Sequence, residues 1–201
     1  MDTNKSIHKL WWLFTPIIIF LIQITMEVSL DGQLLDRLHT ENSPHELLQF
    51  FLISASFLLA LIILLQMPGK LRKSFVGAWV GVAAVCCLYV AGEEVSWGQH
   101  FLDWTTPDFW QNVNDQQETN LHNTSSWLDQ KPRLALEIGI IVGGLILPFI
   151  NWKKPNLLPK KFTIIYPPAI LAVTAAFAEA IKIIEKTGEA LLDDPLFARA
   201  S

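Results

Sequence analysis

The stretch "FVGAWVGVAAVCCLYVAGEEVSWGQH", residues 75–100, decides how the chain folds. It opens with eighteen largely apolar residues and closes with two adjacent glutamates, a serine, a glutamine and a histidine. An apolar run of this length predicts a helix that crosses a lipid bilayer, whose hydrocarbon core is roughly 30 Å thick. The ionisable groups then fall where that helix leaves the bilayer.

The rest of the chain has the same character. Of its 201 residues, 51% are hydrophobic and only 17% are charged, whereas about a quarter of the residues in a soluble domain are charged. Because lipid offers no partner for an unpaired backbone group, every span must be helical. The sequence therefore predicts an all-α polytopic membrane bundle of about five transmembrane helices. Within a single integral membrane domain, 1–201, the predicted spans are 11–29, 46–67, 75–95, 133–151 and 162–183.

The segments between the predicted spans alternate in net charge. The values are +1 for residues 1–10, −3 for 31–46, +3 for 68–74, −5 for 93–133 and +4 for 153–161. Positively charged loops stay on the cytoplasmic side of a membrane. This alternation predicts that the amino terminus lies in the cytoplasm and the carboxyl terminus outside.

Each predicted helix carries a glutamate near its outer end: Glu27, Glu46, Glu93, Glu137 and Glu179. Ionisable groups at membrane depth are costly and by default indicate function. Glu137 has a structural alternative in Arg133, four residues earlier, and Glu179 has another in Lys182. The inner halves of the spans carry no such groups, which disfavours a transport path.

The polar end of the quoted stretch holds the strongest candidates for chemistry. If the third helix continues to residue 103, Glu93, Trp97 and His100 lie on one stripe of it. Ser96, His100 and Asp103 then lie on the neighbouring stripe. Two adjacent glutamates cannot both face lipid cheaply, so at least one should point into the bundle as a general acid or base. The predicted catalytic residues are Glu93, Glu94, Ser96 and Asp103.

The following loop, 104–131, is long for a connection and rich in tryptophan, so it is expected to fold as an outer cap of one or two short helices. "TTPD" predicts a helix start with Thr106 as N-cap and Pro107 in the first helical position. Most of the loop's amide side chains are typical of turns. Glu118 and His122 are instead expected to fold back over the end of the third helix. The predicted substrate or cap residues are Trp97, Gln99, Glu118, Asn120 and Glu179.

The segments "GEEVSWGQ" and "ETNLHN" together resemble a signature of uncharacterised bacterial multi-pass membrane proteins. The resemblance covers roughly residues 91–123. It implies a protein of the bacterial inner membrane, and it names no reaction. It also implies that the following residues belong to one site: Glu93, Glu94, Ser96, Trp97, Gln99, Asn120 and His122.

A weaker similarity concerns Ser96 and His100, which are spaced like a serine and a histidine of the zinc site in alkaline ceramidase-like membrane hydrolases. That family also uses a pair of histidines, four residues apart, on a late helix. The last predicted span here, "AFAEAIKIIEK", contains no histidine. The similarity is therefore confined to one half of that site.

Two functions remain open. One is an outward-facing, metal-dependent hydrolase or transferase acting on a lipid-like substrate, because histidine and carboxylate ligands suit zinc or a similar divalent ion. The expected metal ligands are His100, His122 and Glu93. The alternative is a non-enzymatic accessory subunit or binding module, in which the acidic ring is structural and the outer cap binds a protein partner. Membrane lipids are expected partners in both cases and nucleic acid in neither.

Overall fold

The computed structural model describes residues 8–30, 44–154 and 156–192. The regular secondary structure of these ranges is helical, and they contain no β-strand. Three helices are long and apolar enough to cross a membrane, namely Glu46–Gln66, Phe75–Glu94 and Ser126–Lys153. Their exposed surfaces are rich in leucine, isoleucine and phenylalanine. The all-α membrane fold is therefore confirmed.

The helices are, in chain order, α1 Thr15–Ser29, α2 Pro44–Gln66, α3 Gly69–Arg72, α4 Phe75–Glu94, α5 Gln99–Leu102, α6 Asp108–Val113, α7 Ser126–Gly139, α8 Leu147–Lys153 and α9 Leu171–Leu192. A wide π-helical turn, Leu10–Phe14, leads into α1, and another, Ile140–Ile146, joins α7 to α8. Tighter 3-10 turns lie at Ser96–Gly98, His122–Thr124 and Lys160–Ile165.

Three of the predicted spans, 46–67, 75–95 and 133–151, correspond to the three long helices. The helix that corresponds to the predicted span 133–151 begins at Ser126, inside the predicted cap loop. The cap is therefore shorter than 104–131. The first predicted span is helical, but its apolar helix, Leu10–Met26, is shorter than the other three. The total of five spans stays a prediction.

The fifth predicted span, 162–183, is wrong at its beginning. Lys160–Ile165 forms a 3-10 turn, and α9 begins only at Leu171. Pro167 and Pro168 lie between these elements. Because proline has no backbone N–H and clashes with the preceding turn, two consecutive prolines prevent a continuous helix there.

Contacts divide the chain into two compact units, and Thr40–Ala135 forms one of them. Its main contact is between α2 and α4, which pack against each other along their length. Glycine also allows the short helix α3 to lie close to the first turn of α4, since a Cβ on Gly77 would overlap the carbonyl group of Arg72. This helical pair carries the candidate site at the carboxyl end of α4.

The other unit consists of Met1–His39 and Leu136–Ser201. In it α9 packs against the π-helical turn that precedes α8, and a Cβ on Gly144 would lie 2.5 Å from that of Ala175. Thr174 Oγ1 donates a hydrogen bond of 2.6 Å to the carbonyl of Trp12. Small residues thus set the spacing of the helices in this unit.

Two ion pairs predicted from sequence are wrong. Arg133 binds Asp129, with 2.9 Å between Nε and Oδ1, because an acid four residues before a base is favourably placed on a helix. Glu137 forms an ion pair with Lys182 instead, with 2.6 Å between Oε2 and Nζ. Glu179 consequently makes no hydrogen bond or ion pair with any residue in the described ranges. Glu27 is also predicted to place a carboxylate at the outer end of its helix, and its side chain lies outside the part of the chain that the structure describes.

Candidate functional site

The helix α4 ends at Glu94 and turns sharply. Ser96, Trp97 and Gly98 adopt left-handed backbone conformations, with φ angles of 46°, 56° and 103°. Such a conformation costs of order 1–3 kcal/mol at a residue other than glycine, so surrounding contacts must hold it. The prediction of a continuous helix with two polar stripes is therefore wrong. Asp103 ends the short helix α5 at φ 50° and is exposed.

Glu118 returns from the cap to this bend and contacts two predicted site residues. One of its carboxylate oxygens accepts a hydrogen bond from the hydroxyl of Ser96, and the other lies 2.6 Å from Nε2 of His100. The side chains of His100 and Glu118 are each only 9% exposed, and Ser96 is fully buried. A nucleophilic serine needs its base within hydrogen-bond reach. Here the hydroxyl of Ser96 is directed at a carboxylate instead of the imidazole.

Two buried asparagines complete this enclosed cluster. Asn120 Nδ2 donates to Ser96 Oγ at 2.9 Å and to Glu118 Oε2 at 2.6 Å. Asn114 Nδ2 donates to the side-chain oxygen of Asn120 at 2.8 Å, and its Oδ1 accepts the backbone N–H of Glu118 at 3.1 Å. Buried polar groups must find partners, and these find them in one another. The cap is thus held by a polar core.

Gln99 connects the short helix α5 to two segments of the cap, at Thr106 and at Thr119. Its Oε1 accepts from the backbone N–H of Thr119 at 2.8 Å, and its Nε2 donates to Thr106 Oγ1 at 2.6 Å. Thr106 is therefore not the N-cap that the sequence predicts, because its hydroxyl is engaged within the cap. The helix α6 begins at Asp108, with Pro107 in the N-cap position.

Glu93 forms a second centre, at the last turn of α4. Its Oε2 accepts the backbone N–H groups of Leu121 at 2.7 Å and of His122 at 2.9 Å. The same oxygen lies 3.3 Å from Nδ1 of His122, while Oε1 accepts from Trp97 Nε1 at 2.7 Å. Glu93 is buried, whereas the side chain of His122 is 32% exposed. Of the two histidine–carboxylate pairs, only this one reaches the surface.

The surroundings of His122 favour its protonated form. Burial alone lowers the pKa of an imidazole, but the hydrogen bond and the charge of Glu93 outweigh it here. The charges of Glu94 and Asp129 act in the same direction. The pKa of His122 therefore lies above its ordinary value.

Trp97 covers the second centre because Gly92 leaves room for it. A Cβ on Gly92 would lie 2.9 Å from the indole ring of Trp97. The ring also meets Tyr89 edge-on, with 6.3 Å between the ring centroids. The glycine thus permits the indole N–H to reach Glu93.

Glu94 differs from Glu93 and Ser96, which are both hydrogen-bonded to the cap. It is half-buried, and among the described residues no hydrogen bond or ion pair engages its carboxylate. Its charge nevertheless acts on His122. Glu94 is therefore a carboxylate of this region that is available for a ligand or a proton.

The predicted metal ligands fall into two separate pairs, since His122 contacts Glu93 while His100 contacts Glu118. In the described part of the chain, no group of three or more histidine, cysteine, aspartate or glutamate side chains is placed to hold a metal ion. The zinc site stays a prediction. Sequence reasoning missed the buried role of Asn114 and the half-buried hydrogen bonds of Thr119, because amide-rich stretches such as "NVNDQQETN" are typical of exposed turns.

Comparisons with protein-family models, curated proteins and solved structures returned no match for this chain. Its function must therefore be inferred from the geometry at the end of α4. That geometry contains an enclosed centre around Glu118 and an accessible one around His122.

Proposed function

We propose that the chain is an integral membrane hydrolase or transferase that acts on a lipid-like substrate, with His122 as its general acid and base. The observation that carries the proposal is the contact between the buried carboxylate of Glu93 and Nδ1 of His122. A carboxylate on one ring nitrogen fixes the tautomer and orientation of an imidazole. The other ring nitrogen, Nε2, makes no hydrogen bond within the described ranges and is available to a substrate.

The chemistry follows from this orientation. When Nδ1–H is directed at Glu93, Nε2 takes a proton from water or from an acceptor hydroxyl and later returns it to the leaving group. Glu94 adds a second carboxylate whose charge acts on the same imidazole. Trp97, half-exposed beside Glu93, offers an apolar surface to the substrate.

A lipid-like substrate suits the position of the site. The helix α4 is apolar over a length that crosses a bilayer, and it carries Glu93 and Glu94 on its last turn. A substrate in the membrane would present its polar linkage at this level, where helix and cap meet. The enclosed residues Ser96, His100 and Glu118 then serve to position the cap, while catalytic roles for Ser96 and Asp103 stay predictions.

The test of this proposal is hydrolysis of lipids with ester, amide or phosphodiester bonds in mixed micelles. We expect His122→Gln and Glu93→Gln to lower the rate by about 10²–10⁴-fold, the usual contribution of a general acid or base. Asp108→Asn, an exposed acid in the same cap, is the matched control. Full activity in the His122 variant would contradict the assignment.

A metal-dependent reaction is an alternative form of the proposal, in which Nε2 of His122 would bind the metal and Glu94 or Asp103 would act as the base. Near-stoichiometric zinc in detergent-purified protein, lost from both His122→Ala and Glu93→Ala, would support a metal-dependent reaction. Loss of the metal from His100→Ala as well would support His100 as the third ligand. A protein that cleaves lipid after complete chelation would contradict the metal-dependent form.

A second function, a non-enzymatic binding module or accessory subunit, is supported by one observation. The cluster of Ser96, Asn114, Glu118 and Asn120 is buried and internally hydrogen-bonded, as expected of residues that only stabilise the cap. In this case the cap would present its outer surface to a protein partner. The two functions separate experimentally, since His122→Gln would then leave partner binding unchanged.

We also propose that the site faces away from the cytoplasm of a bacterial inner membrane. The support is the alternation of charge along the sequence, with net +3 for residues 68–74 and net −5 for 93–133. A substrate would then reach the site from the outer leaflet.

A further inference from the structure

The unit that contains α8 and α9 has an open apolar groove of about 680 Å³. One side is formed by large side chains near the end of α8, including Phe149 and Trp152. The other side is low, because Ala169, Ala172 and Ala176 line it. The contact of Gly144 with Ala175 fixes the spacing of the two walls. This volume is in the range of ligand-binding clefts, roughly 300–1,000 Å³.

A positive charge lies at the wall of the groove. The ammonium of Lys153 is 4.0 Å from the ring centroid of Trp152, in a cation–π contact. Because Trp152 lines the groove, a ligand that touches its ring also comes close to this charge.

Further lysines lie in the connection between the two helices that form the groove. Lys154, Lys160 and Lys161 occupy this connection, and the sequence has no aspartate or glutamate between Glu137 and Glu179. All are exposed, and within the described ranges no ion pair engages any of them or Lys153. The connection joins the end of α8 to the start of α9. The positive charge is therefore concentrated at one end of the groove.

We infer that the groove binds an anionic phospholipid of the surrounding bilayer. An acyl chain lies along the alanine side of the groove, and the phosphate lies at Lys153 and the adjacent lysines. An apolar cleft with lysines at one end matches a molecule with an apolar tail and a negative head, and basic clusters beside membrane helices attract anionic head groups. This site is separate from the proposed chemistry of His122, and neither inference depends on the other.

The test compares dioleoylphosphatidylglycerol with dioleoylphosphatidylcholine, each titrated onto the full chain in detergent and measured by native mass spectrometry. We expect the anionic lipid to bind about tenfold or more tightly than the zwitterionic lipid. Replacing Lys153, Lys154, Lys160 and Lys161 together by glutamine should reduce the binding of the anionic lipid to the level of the zwitterionic one. Lys70→Gln with Lys73→Gln, in the other basic connection, is the matched control and should change nothing.

A second pair of measurements tests the groove itself. Ala172→Phe should fill it and weaken the binding of both lipids, and the smaller change Ala176→Leu serves if the first variant does not fold. Soluble glycerol phosphate should compete poorly, since it lacks the acyl chains. Equal binding of the two lipids, unchanged binding in the lysine variant or the groove variants, or full displacement by glycerol phosphate would each overturn the inference.

Discussion

Glu118 contacts one residue within the bend that follows α4 and another just beyond it. Its two carboxylate oxygens are directed at Ser96 and His100, and Asn120 also donates to it. All these groups are buried or nearly so. At the scale of single residues, the left-handed backbone of the bend thus depends on a side chain that lies twenty-two residues further along the chain.

We therefore expect Glu118→Ala to destabilise the protein by roughly 3 kcal/mol, because it leaves buried donors without an acceptor. Glu118→Gln, which keeps one acceptor oxygen, should cost less. The measurement is thermal unfolding in detergent, with Asp115→Asn as the control in the same cap. Equal melting temperatures for Glu118→Ala and the control would show that the cluster does not hold the cap.

The stability of the protein depends on pH through His122, and the surroundings of this residue determine the direction of the dependence. Its pKa is raised in the folded state, so protonated His122 stabilises the fold. This contribution is fully present below the unfolded pKa of about 6.5 and is lost as the pH rises through the folded value. We expect unfolding profiles of the wild type and of His122→Gln to converge at alkaline pH and to separate as the solution is acidified. Parallel profiles would contradict the pairing with Glu93.

At the scale of elements, the end of α4 is the decisive feature. The helix ends at Glu94, and the bend changes the direction of the chain. The short helix α5 follows the bend and leads into the cap. The rings of Phe50 in α2 and Phe101 in α5 lie 5.4 Å apart, so the short helix also contacts the helical pair. Trp97 covers the last turn of α4, over Gly92.

Gly92→Ala tests this arrangement. The added methyl group would lie 2.9 Å from the ring of Trp97, so the indole must move away from Glu93. Overpacking of this kind typically costs 1–3 kcal/mol. Gly139→Ala is a matched control, because a Cβ there meets nothing within 4 Å and should be tolerated. The two changes are compared by thermal unfolding and by the intrinsic tryptophan emission spectrum.

The elements differ in how well the sequence predicts them. Long apolar runs define α2 and α4 because the bilayer requires both length and apolar character. The bend could not be predicted, since serine and tryptophan rarely adopt positive φ, and distant partners such as Glu118 hold them there. The return of Glu118 and His122 to the end of α4 follows the expectation drawn from sequence. Which side chains each of them contacts depends on the packing within the cap, which a single sequence does not reveal.

At the scale of the whole molecule, three helices are long and apolar enough to cross a membrane, while the orientation stays a prediction from charge. We expect a fluorescent protein fused after Ser201 to remain dark and an alkaline phosphatase fused there to be active, because the carboxyl terminus is predicted to lie outside. The opposite pattern should hold for a fusion within residues 68–74. Fluorescence from both fusions would require an even number of spans between residues 68–74 and Ser201 and would overturn the predicted topology.

The partners of Glu93 also have a consequence for how the protein is made. The backbone groups of Leu121 and His122 that bind its carboxylate lie twenty-eight and twenty-nine residues further along the chain. A nascent chain must therefore insert α4 while this carboxylate is still hydrated, and only later synthesis supplies its partners. Closure of the cap over Glu93 therefore follows the synthesis of α4, and a chain that ends before Leu121 lacks both backbone partners of this carboxylate.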